Sequence, residues 1–176
     1  MVKISKFFAY VIFFILALMY FAPKGSLYYF LEDELQEYGV VISKEELESS
    51  MFNLRVKDAS LSVRAVESAK IAKADLQIYG LYNRIKLRGI ILSRVANSLL
   101  PLNIQKATII HSVLNPLNIQ LKAFGELGQV EGEYNIVDRA LHLRLKPSDK
   151  MLKDYKSTLK NLKKSKSGEY LYDKNI

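Results

Sequence analysis

Cysteine and tryptophan are absent from the 176 residues, and histidine occurs only twice. Without cysteine there is no disulfide framework, no thiol chemistry and no cysteine-ligated structural zinc. His111, in ATIIHSV, and His142, in ALHLRL, have no second histidine or carboxylate at ligand spacing, so neither reads as a catalytic base or a metal ligand. The serines Ser60, Ser62, Ser93 and Ser112 lack a Gly-x-Ser-x-Gly context. The glycines of GELGQVEG, 125–132, are followed by no Lys-Ser/Thr pair, so they predict a turn or bulge rather than a phosphate cradle. Glu32, Asp33, Glu34 and Glu37 lie close together but outside any Asp-x-Asp-x-Asp-Gly loop, and read as a solvated helix face. No catalytic, metal or cofactor residue is predicted.

What is present is charge, and its placement matters more than its total of +8. Residues 1–24 carry three lysines and no acid, and residues 25–145 carry 14 basic against 14 acidic side chains. Residues 146–176 carry nine lysines against four acids. The centre is neutral, so a basic nucleic-acid-reading surface is not expected.

Residues 7–22, FFAYVIFFILALMYFA, hold no charge and stand between Lys6 and the Pro23-Lys24 pair. As a helix they span about 24 Å, extended by Val2 and Ile4 and by snorkelling lysines toward the roughly 30 Å of a hydrocarbon core. The run predicts one membrane-spanning helix after a short cytoplasmic stretch, 1–6. A cleaved signal peptide shares the basic start, but cutting after Ala22 would put bulky Tyr20 at the third position before the cut. The lysines preceding the span place the remaining chain on the exported side.

A juxtamembrane helix is expected over 23–39, with Leu27, Leu31, Leu35 and Tyr38 as its apolar stripe, Ser26 as N-cap and Gly39 past its end. Over 40–146 the period falls to two. Apolar sets at 52, 54, 56; 61, 63, 65; 76, 78; 85, 87; 102, 104; 117, 119, 121; 130, 134, 136; and 141, 143, 145 alternate with polar residues. This predicts seven to nine strands in an antiparallel meander, open, curved or sandwich-like, with one apolar and one charged face. The echo PLNIQ at 101–105 and 116–120 predicts two strands opened alike. An apolar face left uncovered would form a lipid or partner groove.

Beyond Pro147-Ser148-Asp149, a C-terminal amphipathic helix is expected over 147–176, with a stripe of Met151 or Leu152, Tyr155, Leu159 and Leu162. Lys150, Lys153, Lys156, Lys160, Lys163 and Lys164 surround that stripe as candidates for membrane or partner contact; a soluble tail is the alternative.

The order of a short basic start, one span, PKGSLYYFLEDELQEYGVVISKEE, then FNLRVKDASLSVRAVESAKIAKADLQIYGLYNRIKL and GELGQVEGEYNIVDRALHLRLKPS resembles the protein N family of the type II secretion system and, more broadly, AsmA-like periplasmic proteins. The resemblance implies a single-pass protein of the bacterial inner membrane, with a periplasmic β domain acting in secretion or envelope assembly beside other envelope proteins. It carries over no enzymatic residues. The alternative is a lipid-binding or lipid-transfer component similar to lipopolysaccharide export protein C, with an acyl chain as ligand.

Overall fold

The computed structural model describes residues 2–21, 24–50, 53–79, 81–94 and 100–175. Helices α1 (Val2–Phe21) and α2 (Lys24–Glu37) precede strands β1 (Val40–Ser43), β2 (Glu46–Ser49), β3 (Leu54–Val63), β4 (Val66–Ile78), β5 (Tyr82–Leu92), β6 (Asn103–Ser112), β7 (Asn115–Gly125), β8 (Gly128–Asn135) and β9 (Ala140–Pro147). Helices α3 (Asp149–Asp154) and α4 (Lys156–Lys160) and strands β10 (Lys163–Lys164) and β11 (Tyr170–Asn175) complete the chain. All strands join one antiparallel sheet in the order β1-β3-β4-β5-β6-β7-β8-β9-β11-β10, with β2 sharing the outer edge of β3. The sheet is open, so the sandwich-like alternative does not apply.

Alternation explains this single layer. On one face stand Leu54, Leu76, Ile85, Ile109, Leu121 and Leu143, successive partners across the strands except where Gly132 of β8 separates the last two. The opposite face carries Arg55, Asp75, Lys86, Thr108, Lys122, Glu131 and Arg144 in the same register.

One level of the sheet breaks the period. In β3 the apolar positions run Leu54, Val56 and then Ala59, Leu61, and β4, β5 and β6 change phase at the same height, around Ala72, Gly89 and Gln105. Asp58 and Gly89 take positive φ of 52° and 62° there, and β7 absorbs the offset through a register shift between Ile104 and Lys106. One extra residue per strand keeps the apolar set on one face through the crease. A Cβ on Gly89 would stand 2.9 Å from that of Ala72, so glycine serves both the dihedral and the close approach. The two apolar sets expected on either side of Asp58 thus belong to one strand, and Ala65, expected to alternate, lies in the β3–β4 turn.

Two ends of the sheet differ. At one, the cap end, lie the turns 64–65 and 126–127, the start of α3 and the β10–β11 turn; at the other, the tip end, lie Tyr79 and Leu81 and the turns 113–114 and 136–139. Helix α2 runs between them. The Arg64 amide donates to the Gly39 carbonyl at 2.7 Å at the cap end, while Tyr28 joins the cluster of Leu54, Val56 and Leu76 in the tip-end half.

Several expectations are corrected. Helix α1 begins at Val2 rather than at residue 7 and stops at Phe21, and residue 22 lies outside the described residues. Among the described residues no helix is long and apolar enough to cross a membrane. Ser26 lies inside α2 rather than capping it, and Leu31, Leu35 and Tyr38 are exposed whereas Tyr28 is buried. Gly39 does follow the helix, at φ 75°. Among the described residues nine strands lie between Val40 and Pro147, within the number expected there, but the sheet does not end at 146, since β10 and β11 extend it. The expected C-terminal helix is two short helices and a β-hairpin, and β11 adds to β9 from Tyr170↔Leu145 to Asn175↔Ala140. Phe52 lies outside the described residues.

Candidate binding face

The apolar face is covered at its two ends by different means. Toward β3, Tyr28 is 4% exposed and packs with Leu54, Val56, Ala59, Ala74 and Leu76. Its hydroxyl is buried without a hydrogen-bond partner among the described residues. Burial first, then the nearby Glu45 and Glu32 carboxylates, pushes this phenol well above its ordinary range. At the cap end, Met151, Tyr155 and Leu159 pack with Leu127 and Leu145 against Ile104, Val130 and Tyr170.

The cap is held by its own sequence. Ser148 Oγ accepts from the Met151 amide at 3.1 Å as N-cap and donates to the Glu126 carbonyl, and its amide bonds the Leu127 carbonyl at 3.2 Å. Glu126 accepts from Lys150 and, at 3.0 Å, from Asn103 Nδ2, which together hold its carboxyl below the usual range. A Cβ on Gly128, at φ 109°, would fall 2.2 Å from the Lys146 carbonyl, so only glycine lets β7–β8 turn tightly beneath this cap.

Between these covers, Ile109, Ile119, Leu121, Tyr134, Leu141 and Leu143 belong to none of the three core clusters. They share the apolar face in the tip-end half of β6 to β9, where Gly132 carries no side chain and Leu143 leans over it. From β6 to β11 the face is four strand spacings wide, about 19 Å. Leu117, 50% exposed, and Tyr172 border it. Ile109, Ile119, Leu121, Tyr134, Leu141 and Leu143 are half-buried rather than exposed.

The six lysines expected to contact a membrane or partner are placed differently from one another. Lys150 pairs with Glu126, and Lys164 stands 5.9 Å from the Tyr170 ring. Lys153, Lys156, Lys160 and Lys163 are exposed around the cap. Their apolar stripe is spent on the protein's own sheet, so it is not free to dock a partner helix.

The charged face has two notable groups. Lys57, Lys73, Arg88 and Lys106 stand directly opposite one another across four strands, an arrangement that costs stability unless neutralised. Asp75, 8% exposed, bonds Arg55 at 3.1 Å and approaches Arg88 at 3.6 Å, while Glu48 pairs with Lys57 and Arg55. Farther along, His142 Nδ1 lies 2.8 Å from Asp173 Oδ1, a hydrogen-bonded pair completed by β11 that sequence spacing did not suggest. It borders a hollow of about 400 Å³ lined by Gln120, Lys122, Glu131, Glu133 and Arg144. The lining includes no serine, threonine or tyrosine, so this histidine–carboxylate pair has no hydroxyl nucleophile beside it. Among the described residues no cluster of histidine and carboxylates could hold a metal ion.

No protein-family model, no curated protein and no solved structure matches this chain.

Proposed function

We propose that this chain is a non-enzymatic membrane protein, anchored by α1 in the bacterial inner membrane, whose periplasmic sheet binds acyl chains along the uncovered half of its apolar face. Its role is that of a lipid-binding or lipid-transfer component of envelope biogenesis. The observation that carries this reading is the patch of Ile109, Leu121, Leu143 and their neighbours, apolar and outside every core cluster. Its width of about 19 Å exceeds the roughly 15 Å of one leaflet's hydrocarbon. The anchor reading rests on the uncharged run 7–22 and on Phe7, Tyr10, Phe13 and Phe21, each more than 60% exposed in α1.

A photoactivatable fatty acid, incubated with the full chain in detergent, tests the reading. Labelling on β6 to β9, abolished by the double variant Leu121→Arg/Leu143→Arg, is expected. Labelling confined to α1 refutes the acyl-chain site.

The second reading is a scaffold for secretion or envelope proteins, like the protein N family that the sequence resembles. The outer side of β11 favours it: β10 pairs only Tyr170 and Leu171, leaving Tyr172–Asn175 without an outer neighbour among the described residues. An unpaired edge of this kind accepts a partner strand.

A further inference from the structure

We propose that the hairpin tips at one end of the sheet form a second membrane contact, a rim that rests in the bilayer beside α1 and opens the apolar face toward the lipid. The inference rests on the anchor reading above and adds to it a surface and its partner.

Leu81 and two turns build the rim. Leu81 is 66% exposed, Leu114 94% and Val137 68%, with Val113 and Ile136 also exposed. These are large apolar side chains at loop positions, where the physical expectation is a polar turn. They are joined laterally: the Val113 amide donates to the Leu81 carbonyl at 3.0 Å, and the Ile136 amide to the Leu117 carbonyl at 2.8 Å. Leu81 and Val113 are thus direct neighbours, and Ile136 stands beside Leu117 of β7. The cap-end turns carry fewer exposed apolar residues, since Leu127 of Glu126-Leu127 is buried and Ser165–Gly168 is polar, with Val66, 51% exposed, beside the Arg64-Ala65 turn.

The rim's position chooses its occupant. Gly39 fixes the C-terminal end of α2 at the cap end, and Tyr28 lies with Leu54 and Leu76 toward the tips, so α2 points its N-terminus at the tip end. Only residues 22 and 23 separate α2 from α1. The chain thus enters the body from the apolar helix on the side where the apolar tips stand. Arg139, in the same turn as Val137, and Arg84, beside Tyr82, supply cations at the level of phosphate headgroups. Leu117 continues from the rim onto the apolar face. A lipid could pass from leaflet to face without crossing the charged side of the sheet. The lysine-rich cap lies at the opposite end, away from this bilayer.

The absence of tryptophan makes the test direct. Single variants Leu114→Trp, Val137→Trp, Val66→Trp and Phe13→Trp of the full chain, reconstituted in phosphatidylethanolamine–phosphatidylglycerol vesicles with brominated acyl chains, each report one site. Far-UV circular dichroism verifies folding. The proposal expects Leu114→Trp and Val137→Trp to be blue-shifted and quenched severalfold more than Val66→Trp, which stands at the cap end. Quenching of Phe13→Trp without quenching at the tips overturns the rim and leaves the anchor intact. No quenching at either place refutes both. Quenched tips with unquenched Phe13→Trp refute the anchor, and with it the rim as a second contact beside α1. Tip emission that shifts with protein concentration but not with lipid makes the rim a contact between copies, and also overturns the proposal.

Discussion

The two halves of the apolar face are made of the same kinds of residue and differ in what lies over them. At the cap end, Leu145 and Val130 meet Met151, Tyr155 and Leu159, and Met151 is fully buried. Toward the tips, Leu143 stands two residues from Leu145 on β9 and Leu121 stands on β7 beside β8, and neither belongs to a core cluster. Hydrophobicity alone therefore does not separate core from binding surface here. The separation comes from where the chain sends its C-terminal helices, and those are placed by the Ser148 cap, the Glu126–Lys150 pair and the tight turn at Gly128.

Three measurements sharpen that contrast. The largest effect is expected at the covered half: Met151→Ala should cost about 2–5 kcal/mol in urea unfolding, because deletion leaves a cavity that the helices cannot close. A loss under about 1 kcal/mol would mean that the cap is loosely seated. At the other half, Leu121→Ala should cost less, about 1–2 kcal/mol, because its side chain is only half-buried, while acyl-chain labelling falls severalfold. Equal losses for the two variants would remove the distinction between the halves. The smallest effect is acidic. The Glu126 carboxyl is depressed chiefly by Lys150 and then by Asn103, so its contribution is present above the unfolded value near about 4.3 and lost as pH falls through the lower folded value. Hydrogen exchange over Met151–Leu159 should therefore accelerate below that range while exchange in β5 and β6 does not, and Glu126→Gln should make the cap's exchange insensitive to it.

Much of the sheet was legible. Leu76, Ile85, Leu121 and Leu143 alternate cleanly, and the helix start at Ser148 was readable because an N-cap is a local, one-turn interaction. The crease was not, because an extra residue in one strand looks like a strand break unless its neighbours shift at the same height. The C-terminal hairpin was missed because the lysines and leucines of 150–164 carry a helical period, which masked the shorter alternation of Tyr170 and Tyr172 after Gly168. The buried Tyr28 was missed for the opposite reason, since the stripe of Leu31, Leu35 and Tyr38 is the better helical pattern yet faces solvent.

By itself, the sequence determined that the body would be antiparallel, with one apolar and one charged face, because side chains alternate with a period of two on every strand. It also determined that the excess charge would sit outside the sheet's centre. Only the tertiary structure decided which part of the apolar face is core and which is open, and that the apolar tips and the entry from α1 share one end. Both depend on contacts between residues far apart in the chain, such as Tyr28 with Leu54 and Arg64 with Gly39, which no local period encodes.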